Sequence, residues 1–301
     1  MSDYIVSGTA ADNQIRFFSA TTKDLTQKAQ DIHNTSPAAT VALGRLLTAG
    51  SLMGATLKNA DELLTLQIRG DGPLGGMTVT AFPDGAVKGF TFNPQADSTN
   101  PLETALVIGE GTLQIIKDIG LREPYIGTSP LVSGEIAEDL TYYYAKSEQT
   151  PTSVALGLTL DSHGKVAAAG GFIIQLMPDC GEAVIDKLEE NLSHSRSVTD
   201  LLAAGKSPEI IMESLLGDFG LSFTGKKETR FHCNCSRDRV TRALISIGKK
   251  EIQAMIDEKE PIEMRCDFCN TTYTFQVPEL QILLKALEKK EMQKFNIVDE
   301  N

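Results

Sequence analysis

The sequence predicts an α+β protein in three parts: an N-terminal antiparallel-sheet core domain with packed helices (residues 1–178), a helical linker (179–230) and a small C-terminal α+β domain (231–301). Three observations predict it. Up to Pro178, short runs of alternating apolar and polar residues are separated by turn residues and interrupted by one long helical stretch of small apolar residues. Beyond Pro178 the pattern becomes charged and helix-periodic. Near the C-terminus four cysteines fall in two close pairs, Cys233 and Cys235 in Phe-His-Cys-Asn-Cys, then Cys266 and Cys269 in Cys-Asp-Phe-Cys. A chain of 301 residues suits about two domains and a connection, because single cores seldom grow beyond roughly 250 residues.

Residues 4–6 and 15–18 are apolar runs around Ala-Ala-Asp-Asn-Gln and read as an opening hairpin. A helix over 23–33 follows, with Leu25, Ala29 and Ile32 on one face. Ser36 then Pro37 is an N-cap followed by a first-turn proline, starting a helix that runs to about Leu57. Its apolar length raises a transmembrane reading, which Arg45 in the middle and the recurring Thr40, Thr48, Ser51 and Thr56 oppose. It is therefore read as a buried core helix, whose Gly44, Ala49, Gly50 and Gly54 admit a close neighbour.

Strands resume at Leu63. Leu64, Leu66 and Ile68 alternate with polar residues, and residues 77–82 and 86–92 flank a Pro-Asp-Gly turn, the grammar of an antiparallel meander. The intervening Gly-Asp-Gly-Pro-Leu-Gly-Gly (70–76) lacks the Gly-Lys-Ser/Thr ending of a phosphate loop, and its proline removes a backbone donor. It reads as a tight inter-strand loop. Residues 93–102 form a polar loop, and further strands are expected at 112–117, 131–136, 154–160 and 165–176. Residues 139–147, with Tyr142, Tyr143 and Tyr144, read as a helix whose tyrosines pack rather than stack on bases.

In the linker, Val184, Ile185, Leu188 and Leu192 share one helical face, followed by Leu201 and Leu202. Ser207 and Pro208 start another helix, with Ile210, Ile211, Leu215 and Leu216 apolar, ended by Gly217. Such short helices owe their stability to whatever they pack on, so the segment is a bracket, fixed or conditional. Cys180 lies here without a close partner and reads as a free thiol. In the last part Ser236 caps a helix carrying Val240, Ala243, Leu244 and Ile247, and Ile252, Met255 and Ile256 mark a second. Residues 262–265 and 271–277 read as a hairpin with the Cys266 and Cys269 knuckle at its turn, and a last helix runs from Pro278 through Leu287.

Two close thiol pairs outline a tetrahedral metal site. Zinc holds thiolates at about 2.3 Å, which places neighbouring sulfurs roughly 3.8 Å apart. The Cys-x-x-Cys pair has knuckle spacing, whereas the Cys-x-Cys pair would point to opposite faces of an extended strand, so its backbone must curl. That curl also places its two thiols to oxidise to each other when the metal leaves. Cys233, Cys235, Cys266 and Cys269 are thus read as zinc ligands, against unrelated free or disulfide-paired thiols. Four thiolates complete the tetrahedron without His232, and His33, His163 and His194 are scattered, so no catalytic constellation emerges and no enzyme is expected. A domain of roughly 60 residues is marginal on core burial, so metal loss is expected to unfold it. Arg230, Arg237, Arg239 and Arg265 lie near the ligands in sequence, where they can offset the charge of a zinc tetrathiolate.

The net charge of −12 argues against broad binding to nucleic acid or to an anionic membrane. The opening Met-Ser-Asp-Tyr-Ile-Val has neither the basic nor the apolar region of a secretory signal, so a cytoplasmic setting is expected, where paired cysteines mean metal or redox chemistry.

Ala-Ala-Gly-Gly-Phe-Ile-Ile-Gln-Leu-Met-Pro (168–178), Ser-Glu-Gln-Thr-Pro-Thr-Ser-Val (147–154) and Arg-Phe-His-Cys-Asn-Cys (230–235) resemble segments of the redox-regulated 33-kDa chaperonins, the heat-shock protein 33 family, in family order. The resemblance covers essentially the whole chain. It implies an ATP-independent holdase, inactive while Cys233, Cys235, Cys266 and Cys269 are reduced and bind zinc. Oxidation is then implied to pair Cys233 with Cys235 and Cys266 with Cys269, expel zinc, loosen the linker and favour a homodimer that holds unfolding client proteins. Cys180 is outside that motif. Two other readings stay open: a zinc-ribbon nucleic-acid-binding factor, on Arg237, Arg239, Arg242, Lys249 and Lys250, and a thiol oxidoreductase, which would need its Cys-x-x-Cys at a helix N-terminus.

Overall fold

The structure is a computed structural model that describes residues 2–298. Met1 and the last three residues expected in the third part, 299–301, lie outside it. The chain divides into two compact units at His232 and Cys233. The first contains β1 (Tyr4–Ala10), β2 (Ile15–Thr21), α1 (Lys23–His33), α2 (Pro37–Gly54), β3 (Leu63–Gly70), β4 (Gly76–Ala81), β5 (Ala86–Thr91), α3 (Ala105–Ile108), β6 (Gly111–Asp118) and β7 (Tyr125–Pro130). It continues with α4 (Ile136–Tyr143), β8 (Thr152–Leu160), β9 (Val166–Leu176), α5 (Glu182–His194), α6 (Val198–Ala203), α7 (Pro208–Leu216), β10 (Ser222–Glu228) and β11 (Arg230–Phe231).

Two sheets enclose α2. The first has the order β10-β1-β2-β9-β8 and the second β11-β5-β4-β3-β6-β7, antiparallel throughout except for the short β11 and β5 pair. From residue 38 to residue 54 every α2 side chain but Arg45 is buried, because the helix packs on β2, β8 and β9 on one side and on β3, β4 and β5 on the other. Its glycines permit that approach. A Cβ on Gly44 would stand 2.5 Å from Leu158 Cδ1 of the first sheet, and one on Gly50 2.6 Å from Val79 Cγ1 of the second. Gly50→Val should therefore overpack the layer and cost about 1–3 kcal/mol, read as a lower urea midpoint with an unchanged slope.

The polar residues that argue against membrane insertion find partners inside the protein. Ser36 caps α2 by accepting from Ala39 N at 3.1 Å, Thr48 Oγ1 donates to Gly44 O at 2.8 Å, and Arg45 pairs with Glu135 at 2.6 Å. No helix among the described residues is long and apolar enough to cross a membrane.

The central strands β1, β2 and β9 of the first sheet are buried on both faces. In β1 and β2 the period of two sends Ile5, Phe18 and Ala20 toward the α2 core, and Val6, Ile15 and Phe17 to the opposite side. There they join Phe172 and Ile174 under α5–α7, against Leu188, Val198, Leu202, Ile211, Met212, Leu215 and Leu216.

Residues 131–136 are not the strand their composition suggests. Asp139 Oδ1 accepts from Val132 N at 2.7 Å and Ser133 N at 3.1 Å, and Gly134 takes φ +75°, so the chain turns into α4 at Ile136. The strand lies just before, in β7, where an exposed edge position leaves Tyr-Ile-Gly-Thr-Ser-Pro without a clear apolar alternation. Strand β10 likewise lies within residues read as helical: Ser-Phe-Thr-Gly-Lys-Lys-Glu is almost wholly exposed at the sheet edge. The glycine-rich loop at 70–76 is structural, since Asp71 N, Gly72 N and Leu74 N donate to the carbonyls of Glu110, Ile108 and Val107.

Asp3 is buried at the start of α1, where its carboxylate accepts from Leu25 N at 2.8 Å. Burial pushes its pKa up to about 6 against the lowering effect of that bond. The carboxyl group's contribution to stability is thus full below about pH 4 and lost as pH rises through about 6, a difference of about 2–3 kcal/mol. Asp3→Asn should flatten this part of the pH profile, raising the melting temperature at pH 7.5 relative to wild type but not at pH 4.

The second unit contains α8 (Arg237–Ser246), α9 (Lys249–Asp257), β12 (Ile262–Arg265), β13 (Thr272–Phe275) and α10 (Val277–Val298). Its buried apolar core among the described residues is Leu244, Ile252, Phe275 and Leu280, with Val240, Met255, Ile262, Met264 and Tyr273 packed around them.

Candidate metal centre

Local structure delivers the two cysteine pairs in different ways. β12 and β13 pair in register from Ile262 with Phe275 to Arg265 with Thr272, and the six residues beyond the ladder form the knuckle. Within it Cys266 N donates to Thr271 O at 3.0 Å, while Cys269 N and Asn270 N both donate to Cys266 O, at 3.3 and 2.8 Å. Asn270 takes φ +59°, a conformation that its short polar side chain tolerates. The other pair leads straight into α8, where Ser236 Oγ accepts from Arg239 N at 3.3 Å. Ser236 itself is extended, at φ −148° and ψ 161°, and the helix starts directly after it.

All four sulfurs lie within 4.8 Å of one another, half-buried, so Cys233, Cys235, Cys266 and Cys269 are positioned to hold a metal ion. Cys233 Sγ is 3.8 Å from Cys266 Sγ, and Cys235 Sγ is 3.3 Å from Cys269 Sγ. Two further groups reach the sulfurs that motif reading does not anticipate. Tyr273 OH stands 3.1 Å from Cys235 Sγ, and Thr271 Oγ1 stands 3.2 Å from Cys269 Sγ. The available signal is the period of two in Thr-Thr-Tyr-Thr-Phe, which puts Thr271, Tyr273 and Phe275 on one face of the strand after the knuckle.

Electrostatics separate the thiols. Burial pushes Cys233 and Cys266 up, aided at Cys233 by the neighbouring sulfurs. Burial also acts on Cys269, but hydrogen bonds with Thr271, Cys235 and Cys266 together outweigh it and bring that thiol down to about 7. Tyr273 is pushed up to about 12, first by its bond to Cys235 and then by burial.

Of the arginines near the ligands in sequence, two have other partners. Arg237 donates to Thr274 O at 2.9 Å and Glu279 Oε1 at 2.7 Å and lies 4.4 Å from the centre of the Phe275 ring, and Arg230 pairs with Asp84 at 2.6 Å. Arg237 therefore serves the fold, which weakens the basic surface on which a nucleic-acid reading rests. His232 and Cys180 are not members of the sulfur cluster. Cys180 lies in the first unit just before α5, and burial raises its thiol. His33 donates from Nε2 to Gly89 O at 3.0 Å and stacks edge-on against Phe231.

The family model described as Hsp33 protein matches residues 3–276. A 33 kDa chaperonin of Lachnoclostridium phytofermentans is 49% identical over 288 residues, covering 94% of this chain and 99% of that protein. One of Agathobacter rectalis is 50% identical over 285 residues, covering 93% and 99%. Among solved structures, the crystal structure of the 33 kDa chaperonin (heat shock protein 33 homolog) of Thermotoga maritima superposes with a TM-score of 0.86 at 34% identity, covering 95% of this chain and 98% of that one. With its two-sheet core and its four converging cysteines, the chain belongs to the Hsp33 family of chaperones.

Proposed function

We propose that the protein is an oxidation-activated holdase whose switch is held by zinc. The convergence of Cys233, Cys235, Cys266 and Cys269, in a unit whose buried apolar core among the described residues is four side chains, carries this reading. Such a core is marginal alone, while a structural zinc can contribute about 10–16 kcal/mol of apparent folding free energy. Four sulfur donors without a carboxylate suit zinc. Bound zinc supplies a cross-link between the Cys-x-Cys turn and the hairpin knuckle.

Oxidation by a peroxide removes two electrons from the two thiolates of each disulfide formed, reduces each peroxide to two waters with two protons taken from solvent, and takes two ligands from the metal. The pairs are Cys233 with Cys235 and Cys266 with Cys269. Sulfur approaches of 3.8 and 3.3 Å run across these pairs, between residues 33 and 34 positions apart. A tetrahedron brings all four together, and once the module loosens, closing a loop of one or two residues costs far less entropy than closing the longer ones.

The three parts 1–178, 179–230 and 231–301 then act as client-binding core, releasable cover and switch. Lifting α5–α7 uncovers Val6, Ile15, Phe17, Phe172 and Ile174 as one apolar patch, the kind of surface that captures unfolding proteins. A homodimer in the active form joins two such patches. Holding requires no ATP, and the cytoplasm, where thiols are reduced by default, makes oxidation the signal.

Treatment with peroxide at mildly raised temperature should yield the two local disulfides in a peptide map and suppress aggregation of a thermally unfolding test protein. An oxidised, zinc-free chain that leaves aggregation unchanged contradicts the proposal.

A further inference from the structure

We propose that Tyr4, Glu209 and Lys226 form a latch that restrains α7, and with it the helical layer, on the first sheet. The inference rests on the proposed release of that layer and names a contact that must break for release to occur. Three elements meet at one carboxylate. Glu209 lies in the first turn of α7, where its Oε2 accepts from Tyr4 OH of β1 at 2.7 Å and its Oε1 pairs with Lys226 Nζ of β10 at 3.0 Å. Lys226 Nζ also stands 3.8 Å from the centre of the Tyr4 ring, closing a three-way contact.

Register makes the meeting possible. Lys226 pairs with Val6 and Glu228 with Tyr4, so Tyr4 and Lys226 are diagonal neighbours on the face that carries Val6 toward the helices. Ser207 fixes the incoming turn by accepting from Ile210 N at 3.3 Å, and Pro208 sets the first helical residue. The carboxylate also sits at the positive end of the helix, which favours its charge. Burial raises the Glu209 pKa, but the bonds from Tyr4 and Lys226, with those from its own backbone N–H and Ser207, together outweigh it and hold it at about 2, so the group stays ionised at neutral pH.

The apolar contacts beneath α7 are non-directional and tolerate sliding, whereas the latch is directional and fixes where α7 begins. Its location also matters. Tyr4 and Lys226 belong to adjacent strands, so the contact ties α7 to the edge strand β10 as well as to β1, and opening one loosens both. With Lys226 side-chain exposure at 61%, added salt screens the pair.

The test is hydrogen exchange on the reduced, zinc-loaded full chain. Glu209→Ala should speed exchange of residues 208–228 about tenfold, Tyr4→Phe should do so by less, and β3, β4 and β6 should be unaffected, which controls for folding. Raised salt should speed the same segment in wild type and have little effect in Glu209→Ala. Identical exchange of residues 208–228 in wild type and Glu209→Ala overturns the latch, whatever the chaperone activity. Faster exchange supports it even if the oxidised wild type fails to suppress aggregation, an outcome that would count against the holdase reading alone.

Discussion

Removing the metal should unfold the second unit while the two sheets of the first remain intact. Among the described residues the buried core of the second unit is Leu244, Ile252, Phe275 and Leu280, small against the chain entropy of the unit. The four sulfurs carry the difference: a metal contribution of about 10–16 kcal/mol exceeds the entire stability of most small domains. Chelation, or Cys266→Ser, should therefore abolish protection from hydrogen exchange across α8, α9, β12 and β13. Exchange in α2, β3, β4 and β9 should stay slow, because α2 is enclosed by the two sheets of its own unit. Retention of slow exchange in β12 and β13 after complete chelation would contradict the account, since the hairpin would then be held by packing alone.

A buried charge under α7 should switch the protein on without oxidation. Leu215 is 1% exposed in the cluster that joins α7 to Phe17 and Ile174. In Leu215→Glu an ionised carboxylate replaces a packed leucine, a change that costs roughly 3–5 kcal/mol and that the segment escapes by lifting from the sheet. The reduced, zinc-loaded variant should bind an environment-sensitive apolar dye and suppress aggregation to near the level of oxidised wild type. A surface control, Glu213→Gln in the same helix, should do neither. If Leu215→Glu exposes apolar surface yet holds no client, the patch beneath α7 is not the client-binding surface.

These expectations depend on features of unequal legibility. The buried α2 was readable because Ser36 and Pro37 mark its start and its glycines announce close neighbours, even though its apolar run alone also fits a membrane span. The cysteine cluster was readable because zinc-type spacing constrains residue identity strongly. Edge strands were not: β7 and β10 bury little, so no apolar alternation distinguishes them from loops, and their positions follow from pairing with β6 and β1. Residues 131–136 misled for the complementary reason. Leu131, Val132 and Ile136 look like a strand, yet Asp139, seven residues after Val132, binds the intervening backbone and bends it into α4. Tyr273 and Thr271 escaped notice because contacts to sulfur depend on which way a strand faces, and that is set by the hairpin. Tyr4, Glu209 and Lys226 are spread over 222 residues of sequence and meet only once β10 pairs with β1.

The central claim is that one event couples thiol oxidation, metal release and client binding, and it is tested most directly by following zinc content and light scattering on a single sample during oxidation. The account predicts that suppression of aggregation rises in step with zinc release and is complete when all four thiols at Cys233, Cys235, Cys266 and Cys269 are oxidised. Suppression that reaches its full extent while zinc is still bound, or complete zinc release with scattering unchanged, would contradict it.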